Sequence, residues 1–155
     1  MSMIIDGTNG LTFNNATTQA SAGVVLQVVS MISTSSTSTS SAAWTSTALT
    51  QAITPKFSNS KILILVSTDL ALTAGNQAYL TIFRNSTNLG SGSNSAFVNT
   101  YVSNSSLWTP TNISYLDSPS TTSSTTYTVN LWSASGSVTA NYSITGTLTL
   151  MEIAG

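Results

Sequence analysis

The sequence predicts an all-β protein: an antiparallel β-sandwich, specifically a jelly roll of about eight strands, with an N-terminal arm. Three observations predict this fold. Apolar residues recur with a period of two, turn-forming residues separate these segments, and Ser and Thr fill about a third of the 155 positions. Thr favours strands because its branched Cβ suits a pleated, half-solvated face. No segment shows the apolar stripe of an amphipathic helix.

The period of two is clearest in "NYSITGTLTLMEI" (141–153). Tyr142, Ile144, Leu148 and Leu150 fall on one face of this segment, and hydroxyl side chains fall on the other. "TTYTVNLW" repeats the pattern, and "QAYLTIFRN" follows it less strictly. Such alternation predicts half-buried antiparallel strands.

Two other segments, "GVVLQVVSMIS" (23–33) and "KILILVS" (61–67), are apolar on both faces. We expect these to be central strands that are covered on both sides. Turn-forming stretches such as "LGSGSNS" and "SPST" separate the apolar segments. The predicted strands are 24–32, 44–53, 61–70, 77–84, 96–102, 112–117, 126–133 and 139–152.

The chain divides into an arm or small hairpin at 1–22 and a sandwich domain at 23–155. The first part alternates short apolar pieces with Asp-Gly and Asn-Gly turn dipeptides. Exposed apolar side chains on an arm need a neighbouring protein, whereas a frayed terminus would have no such role. The candidate assembly residues of the arm are Ile4, Ile5, Leu11 and Phe13.

The chemical inventory is short, with 4 acidic and 3 basic residues and neither His nor Cys. The usual general base, thiolate nucleophile and common metal ligands are therefore missing, and we expect a non-enzymatic protein without cofactor or metal. The chain lacks a basic stripe for nucleic acid and an apolar run long enough for a bilayer. We expect a soluble protein without a signal peptide, and so little net charge favours association.

The charged side chains have simple structural interpretations. Asp117 in "LDSP" is expected to accept backbone N–H groups and initiate a turn. Arg84 and Lys61 are expected to be strand-end charges that protect sheet edges from pairing. The four carboxylates are scattered in sequence, without an evident pair: Asp6, Asp69, Asp117 and Glu152.

Aromatic residues suggest a second kind of surface. Trp108, Tyr101 and Tyr115 are candidates for a glycan-binding surface, because aromatic rings stack on the apolar face of a pyranose. The alternative is that the aromatic residues belong to the core or to a subunit interface, as we expect for Trp44 and Trp132.

Several segments resemble a β-rich module of tailed-bacteriophage virion proteins, especially those of marine and cyanobacterial phages. The resemblance covers most of residues 24–155 and rests on "SKILILVS", "ISYLDSPSTTSSTTYTVNLWSASG" and "LTLMEIAG". The leading "IIDGTNGLTFNNATTQ" is similar to short segments that precede such modules in tail fibres. It departs from the usual form, which has Pro-Asp or Asp-Gly where this chain has Asn14 and Asn15.

The resemblance implies a jelly-roll subunit, often trimeric, that is assembled into a virion in the host cytoplasm and has no catalytic residues. The expected function is that of a capsid cement or decoration protein that binds the shell as a trimer and reinforces it. Its partners would be itself and the major capsid protein or another virion protein. The alternative is a tail-fibre or receptor-binding tip that recognises host surface glycan.

The last predicted strand supplies the candidates for the trimer interface. Its better-patterned apolar face could form the interface or could be core. If that face is core, the interface candidates are the two apolar residues on the opposite face. The two alternatives are Tyr142, Ile144, Leu148 and Leu150, or Met151 and Ile153.

Overall fold

A computed structural model of the protein describes residues 4–6, 10–12, 18–19 and 24–155. Within these residues, strands dominate, and one short 3-10 turn covers Ser93–Ser95. The described part has no helix that is long and apolar enough to span a membrane. The strands are β1 (Ile4–Asp6), β2 (Gly10–Thr12), β3 (Thr18–Gln19), β4 (Val25–Ser33), β5 (Thr37–Thr39), β6 (Thr45–Ile53), β7 (Lys61–Leu72), β8 (Gln77–Arg84), β9 (Thr87–Asn88), β10 (Val98–Tyr101), β11 (Leu107–Asp117), β12 (Thr125–Ser133), β13 (Val138–Ala140) and β14 (Gly146–Ile153).

Strands β4 to β14 form two antiparallel sheets that pack as a sandwich. One sheet has the order β4-β14-β7-β13-β5, with β11 on the other edge of β7; the second has the order β10-β8-β12-β6, with β9 beside β8. We number the principal strands β4, β6, β7, β8, β10, β11, β12 and β14 from first to eighth. The sheet orders are then 1-8-3-6 and 2-7-4-5, which is the jelly-roll arrangement. The predicted fold class is confirmed, although β5, β9 and β13 raise the strand count of the sandwich from about eight to eleven.

The three short strands near the N-terminus form a sheet of their own. β1 pairs antiparallel with β2, and β2 pairs antiparallel with β3. In this register Ile5 lies opposite Leu11. The side chains of Ile4, Ile5 and Leu11, and all of Phe13, lie outside what the structure describes. The assembly role of these residues and the division between 1–22 and 23–155 stay predictions.

The predicted strand 139–152 is wrong in one respect, because two strands with bends between them replace it. β13 ends at Ala140, and β14 begins at Gly146. Asn141 turns the chain with a φ of 54°, and the Asp69 carboxylate accepts the N–H groups of Tyr142 and Ser143. Because these N–H groups bond to Asp69, they cannot pair with a neighbouring strand. Tyr142 and Ile144 therefore do not share a strand face with Leu148 and Leu150.

β11 begins at Leu107, well before the predicted start at 112. Pro110 lies inside this strand, opposite Asp69. β11 pairs only with β7 and is an edge strand. Pro is tolerated there because an edge strand has positions whose N–H group has no ladder partner to bond.

The main core cluster lies between the sheets, and each strand that contributes to it does so from one face. β14 alternates strictly, with Leu148 and Leu150 fully buried and threonines between them. Full burial of each such leucine stabilises the fold by roughly 1.5–3 kcal/mol. The other main core residues come from both sheets: Leu49, Ile53, Ile62, Ile64, Leu70, Leu80, Ile82, Tyr127, Val129 and Leu131.

The expectation that 23–33 and 61–67 are covered on both sides is wrong for the single chain. Leu65 is 38% exposed, Val28 53% and Ile32 69%. A two-layer sandwich buries only the inner face of each sheet, so these side chains point outward. The outer face of the six-stranded sheet therefore carries exposed apolar side chains among its polar ones, whereas the solvated face of an antiparallel sheet is usually polar.

Candidate functional site

The outer face of the six-stranded sheet is the first candidate site. Strand register places one apolar residue from each of four neighbouring strands in a line across this face. Val28 lies opposite Met151, Met151 opposite Leu63, and Leu63 opposite Leu116. We name these four residues the apolar row. Val28 and Leu116 are exposed, whereas Leu63 and Met151 are partly exposed.

Hydroxyl side chains flank the apolar row rather than charges. In the adjacent register line, Ser30 of β4 lies opposite Thr149 of β14, and their hydroxyl oxygens are 2.9 Å apart in a hydrogen bond. Within the described residues, Lys61 at the start of β7 is an exposed charged side chain of this face, and Asp69 lies on the same face of β7 but is buried. The face is thus nearly neutral, and its polar groups partly satisfy one another.

The carboxylate of Asp117 takes part in a buried contact between the two sheets. It accepts a hydrogen bond from Tyr127 Oη at 2.7 Å and pairs with Arg84 Nη1 at 2.9 Å. Burial and then the hydrogen bond to Asp117 raise the pKa of Tyr127 far above its ordinary value, so the phenol stays a donor. The expected turn-forming role of Asp117 and the expected edge-charge role of Arg84 are both wrong. These side chains instead join β8, β11 and β12.

Glu152 is fully buried within β14. Its Oε2 accepts a hydrogen bond from Gln27 Nε2 at 2.6 Å, and its Oε1 accepts the Lys56 N–H at 2.7 Å. Burial alone would raise the pKa of Glu152, but the hydrogen bonds to its carboxylate outweigh burial and hold the pKa below its usual range. Glu152 therefore fastens the 54–57 segment and β4 to the end of β14.

Asp69 organises the bend between β13 and β14. Its Oδ1 accepts the Tyr142 N–H at 2.7 Å, and its Oδ2 accepts the Ser143 N–H at 2.9 Å and the Ser143 hydroxyl at 2.6 Å. Asp69 is 4% exposed although it points to the outer face of β7, because the bend covers it. A sequence signal existed, since an Asp within the apolar strand "LVSTDLAL" needs donors when it is buried.

The carboxylates of Asp69, Asp117 and Glu152 thus all accept hydrogen bonds from other parts of the fold. The described residues contain no group of three or more acidic, His or Cys side chains that could hold a metal ion. The Asp6 side chain lies outside what the structure describes. The expectation of a non-enzymatic protein stays a prediction.

An aromatic pair forms the second candidate site. Trp108 of β11 and Tyr142 of the bend are 67% and 54% exposed. Their ring centroids are 5.9 Å apart, and the ring planes differ by only 15°. We name this pair the aromatic platform. Sequence reasoning placed Tyr142 on the last strand and missed its contact with Trp108, because the bend that joins them depends on Asp69.

The predicted glycan surface is not a single surface in the structure. Tyr101 lies on β10 in the other sheet, and Tyr115 packs against Phe97 with ring centroids 4.9 Å apart. Only Trp108 of the three contributes to the platform. Trp44 and Trp132 make edge contacts with other rings, on Phe83 and Tyr79 respectively.

The six candidates for the trimer interface also lie in different parts of the structure. Leu148 and Leu150 have no exposure and are core, so they are not available to a partner. Met151 and Ile153 lie on the outer face and are partly exposed. The bend carries the remaining two candidates, Tyr142 and Ile144, as exposed side chains.

No protein-family model matches the chain, and no curated protein matches it.

Proposed function

We propose that the chain is a non-enzymatic structural protein of a tailed-phage virion, a cement or decoration protein that binds the capsid shell as a trimer and reinforces it. The resemblance of the sequence to virion modules supports the proposal that the chain is part of a virion. The apolar row on an exposed sheet face is the structural observation that carries the assembly role.

The apolar row is suited to contact with another protein surface. Scattered exposed apolar residues are ordinary, but here four lie in register across one sheet, and Ile32 and Leu65 extend the area. Covering apolar surface contributes roughly 25 cal/mol per Å² removed from water.

The low charge of the same face favours close packing. An interface desolvates whatever it covers, and burying an unpaired charge costs several kcal/mol. The Ser30–Thr149 hydrogen bond lets these hydroxyls be covered with a partner already in place. Lys61 lies at the end of the sheet, where its ammonium group could remain solvated.

Analytical ultracentrifugation of charged variants tests the assembly role. We expect the wild-type protein to sediment near three times its monomer mass of 16.1 kDa. Val28→Asp and Leu116→Asp should give folded monomers, because each places an unpaired charge in the contact. Ala52→Asp is the matched control, since Ala52 is exposed on the outer face of the opposite sheet and should leave the trimer intact. A wild-type monomer at high micromolar concentration, or equal association by all variants, contradicts assembly through the apolar row.

Immunogold labelling of virions that carry the protein tests the placement. Label over the shell supports the cement role. Label confined to the tail would replace it with the receptor-binding alternative, in which the trimer caps a fibre and grips host glycan.

A further inference from the structure

We propose that the aromatic platform of Trp108 and Tyr142 is a binding site for neutral, hexose-containing glycan. This inference does not depend on the virion role, because it rests on a different part of the molecule.

The platform offers an open aromatic face. An indole that is 67% exposed cannot be covered on both sides, and Tyr142 lies nearly parallel to it. The C–H groups on one face of a hexopyranose pack on the negative face of an aromatic ring. The two rings are nearly parallel, and more than half of each side chain is exposed, so an open ring face provides a stacking position for a sugar ring.

Residues with hydroxyl groups lie beside the platform. A shallow depression beside Trp108 and Tyr142 is lined by Thr73, Ser106 and Ser137 among others. Neither Ser106 nor Ser137 donates its hydroxyl to another described residue. Sites for small polar ligands combine an apolar surface with a few such groups, and these hydroxyls are available to sugar hydroxyls.

A second depression lies beside the Trp108 ring and is lined by Thr109, Pro110, Ser143 and Ile144. Asp69 also lines it, but its carboxylate oxygens already accept the two N–H groups and the hydroxyl of the bend. The surroundings of the platform therefore lack a free charge among the described residues. An uncharged glycan fits this site better than a sialylated or sulfated one.

The bend that presents Tyr142 is held in place before any ligand arrives. Besides the three hydrogen bonds to Asp69, Asn141 Oδ1 accepts the Thr68 hydroxyl at 2.6 Å. A side chain at Gly146 would collide with Asn141, so the bend and β14 are closely packed. A site that is already ordered loses little conformational entropy on binding.

The platform and the apolar row lie far apart. Trp108 is opposite Ala71 near the end of β7, whereas the row crosses β7 at Leu63. At about 3.3 Å per residue, the two positions are roughly 26 Å apart along the strand. A subunit that packs through the row would therefore leave the platform accessible.

Isothermal titration calorimetry with cellohexaose, laminarihexaose and maltohexaose tests the site. We expect at least one of these neutral oligosaccharides to bind, and Trp108→Ala and Tyr142→Ala each to weaken its binding by about tenfold or more. Tyr101→Ala is the matched control, because Tyr101 is similarly exposed at 64% on the other sheet. Circular dichroism and the melting temperature check that all variants are folded.

Three results would overturn the proposal. One is the absence of binding to all three oligosaccharides at millimolar concentration. Another is loss of binding in Tyr101→Ala equal to that in Trp108→Ala. The third is binding that the platform variants retain, while the same variants lose association with the virion, since the platform would then be a protein contact. Loss of the trimer in the apolar-row variants, with glycan binding retained, would leave this inference standing.

Discussion

At the scale of single residues, three acidic side chains hold separate strands and loops together through hydrogen bonds. Asp69 holds the bend after β13, Asp117 joins Arg84 and Tyr127 between the sheets, and Glu152 ties β4 and the 54–57 segment to β14. Hydrogen bonds to charged groups are worth about 1.5–3 kcal/mol each, so a few buried carboxylates contribute substantially to a fold with so little charge.

Glu152 predicts a specific pH dependence of stability. Its pKa is lowered in the folded protein, so its contribution to the free energy of unfolding is present above the unfolded value of about 4.3. That contribution is lost as pH falls through the folded pKa. Urea unfolding at several pH values should show stability decreasing below about pH 4.5.

Glu152→Gln provides the control. The variant should be less stable at pH 7 by roughly 1–3 kcal/mol, because an amide cannot accept all the bonds that the carboxylate accepts. Its stability should also depend less steeply on acidic pH. Identical slopes in the two proteins would show that Glu152 does not cause the acid sensitivity.

At the scale of elements, β14 shows how one strand serves both the core and a surface. It pairs with β4 on one side and with β7 on the other. Its inward residues fill the core, and its outward residues include Met151 of the apolar row. The bend before it carries Tyr142 to Trp108, so the boundary between β13 and β14 decides where the aromatic platform forms.

Leu150→Asp should unfold the sandwich domain rather than produce a folded monomer. Leu150 has no exposure, and burying an unpaired carboxylate there would cost most or all of a typical domain stability of about 5–15 kcal/mol. Thr149→Asp is the neighbouring control, since Thr149 points outward and the variant should keep its strand spectrum by circular dichroism. A folded Leu150→Asp protein with wild-type stability would contradict the core position of this strand face.

At the scale of the whole molecule, a jelly roll with an apolar outer sheet face is joined to a short three-stranded sheet at the N-terminus. Within the part of the chain that the structure describes, the buried hydrophobic cluster consists of sandwich residues from Leu49 to Leu150. The assembly role of the N-terminal segment stays a prediction, which its deletion tests.

If the chain has the virion role that we propose, deletion of residues 1–20 should leave a folded sandwich that no longer joins the virion. The first sandwich strand begins at Val25, so the deletion removes none of its paired residues. The melting temperature and circular dichroism report folding, and quantitative immunoblotting of purified particles reports occupancy. Unchanged occupancy would exclude an assembly role for the arm, and loss of folding would show that the arm belongs to the sandwich.

The sequence alone determined the fold class and most strand positions. Strands such as Gln77–Arg84 and Thr125–Ser133 lie within a residue of their predicted bounds, because period-two alternation reports which face of a strand is buried. Alternation also predicted correctly that Leu148 and Leu150 face inward on β14. The same alternation wrongly placed Tyr142 and Ile144 on this strand face.

Tertiary structure decided what the apolar and charged residues do. Alternation does not say whether an outward apolar residue will be covered, so only the sandwich shows that Val28 and Leu116 stay exposed. The contacts of Asp117 with Arg84, and of Trp108 with Tyr142, join residues far apart in sequence. Their formation depends on sheet order and on one buried carboxylate, Asp69, and these long-range pairings are not encoded in any local pattern of the chain.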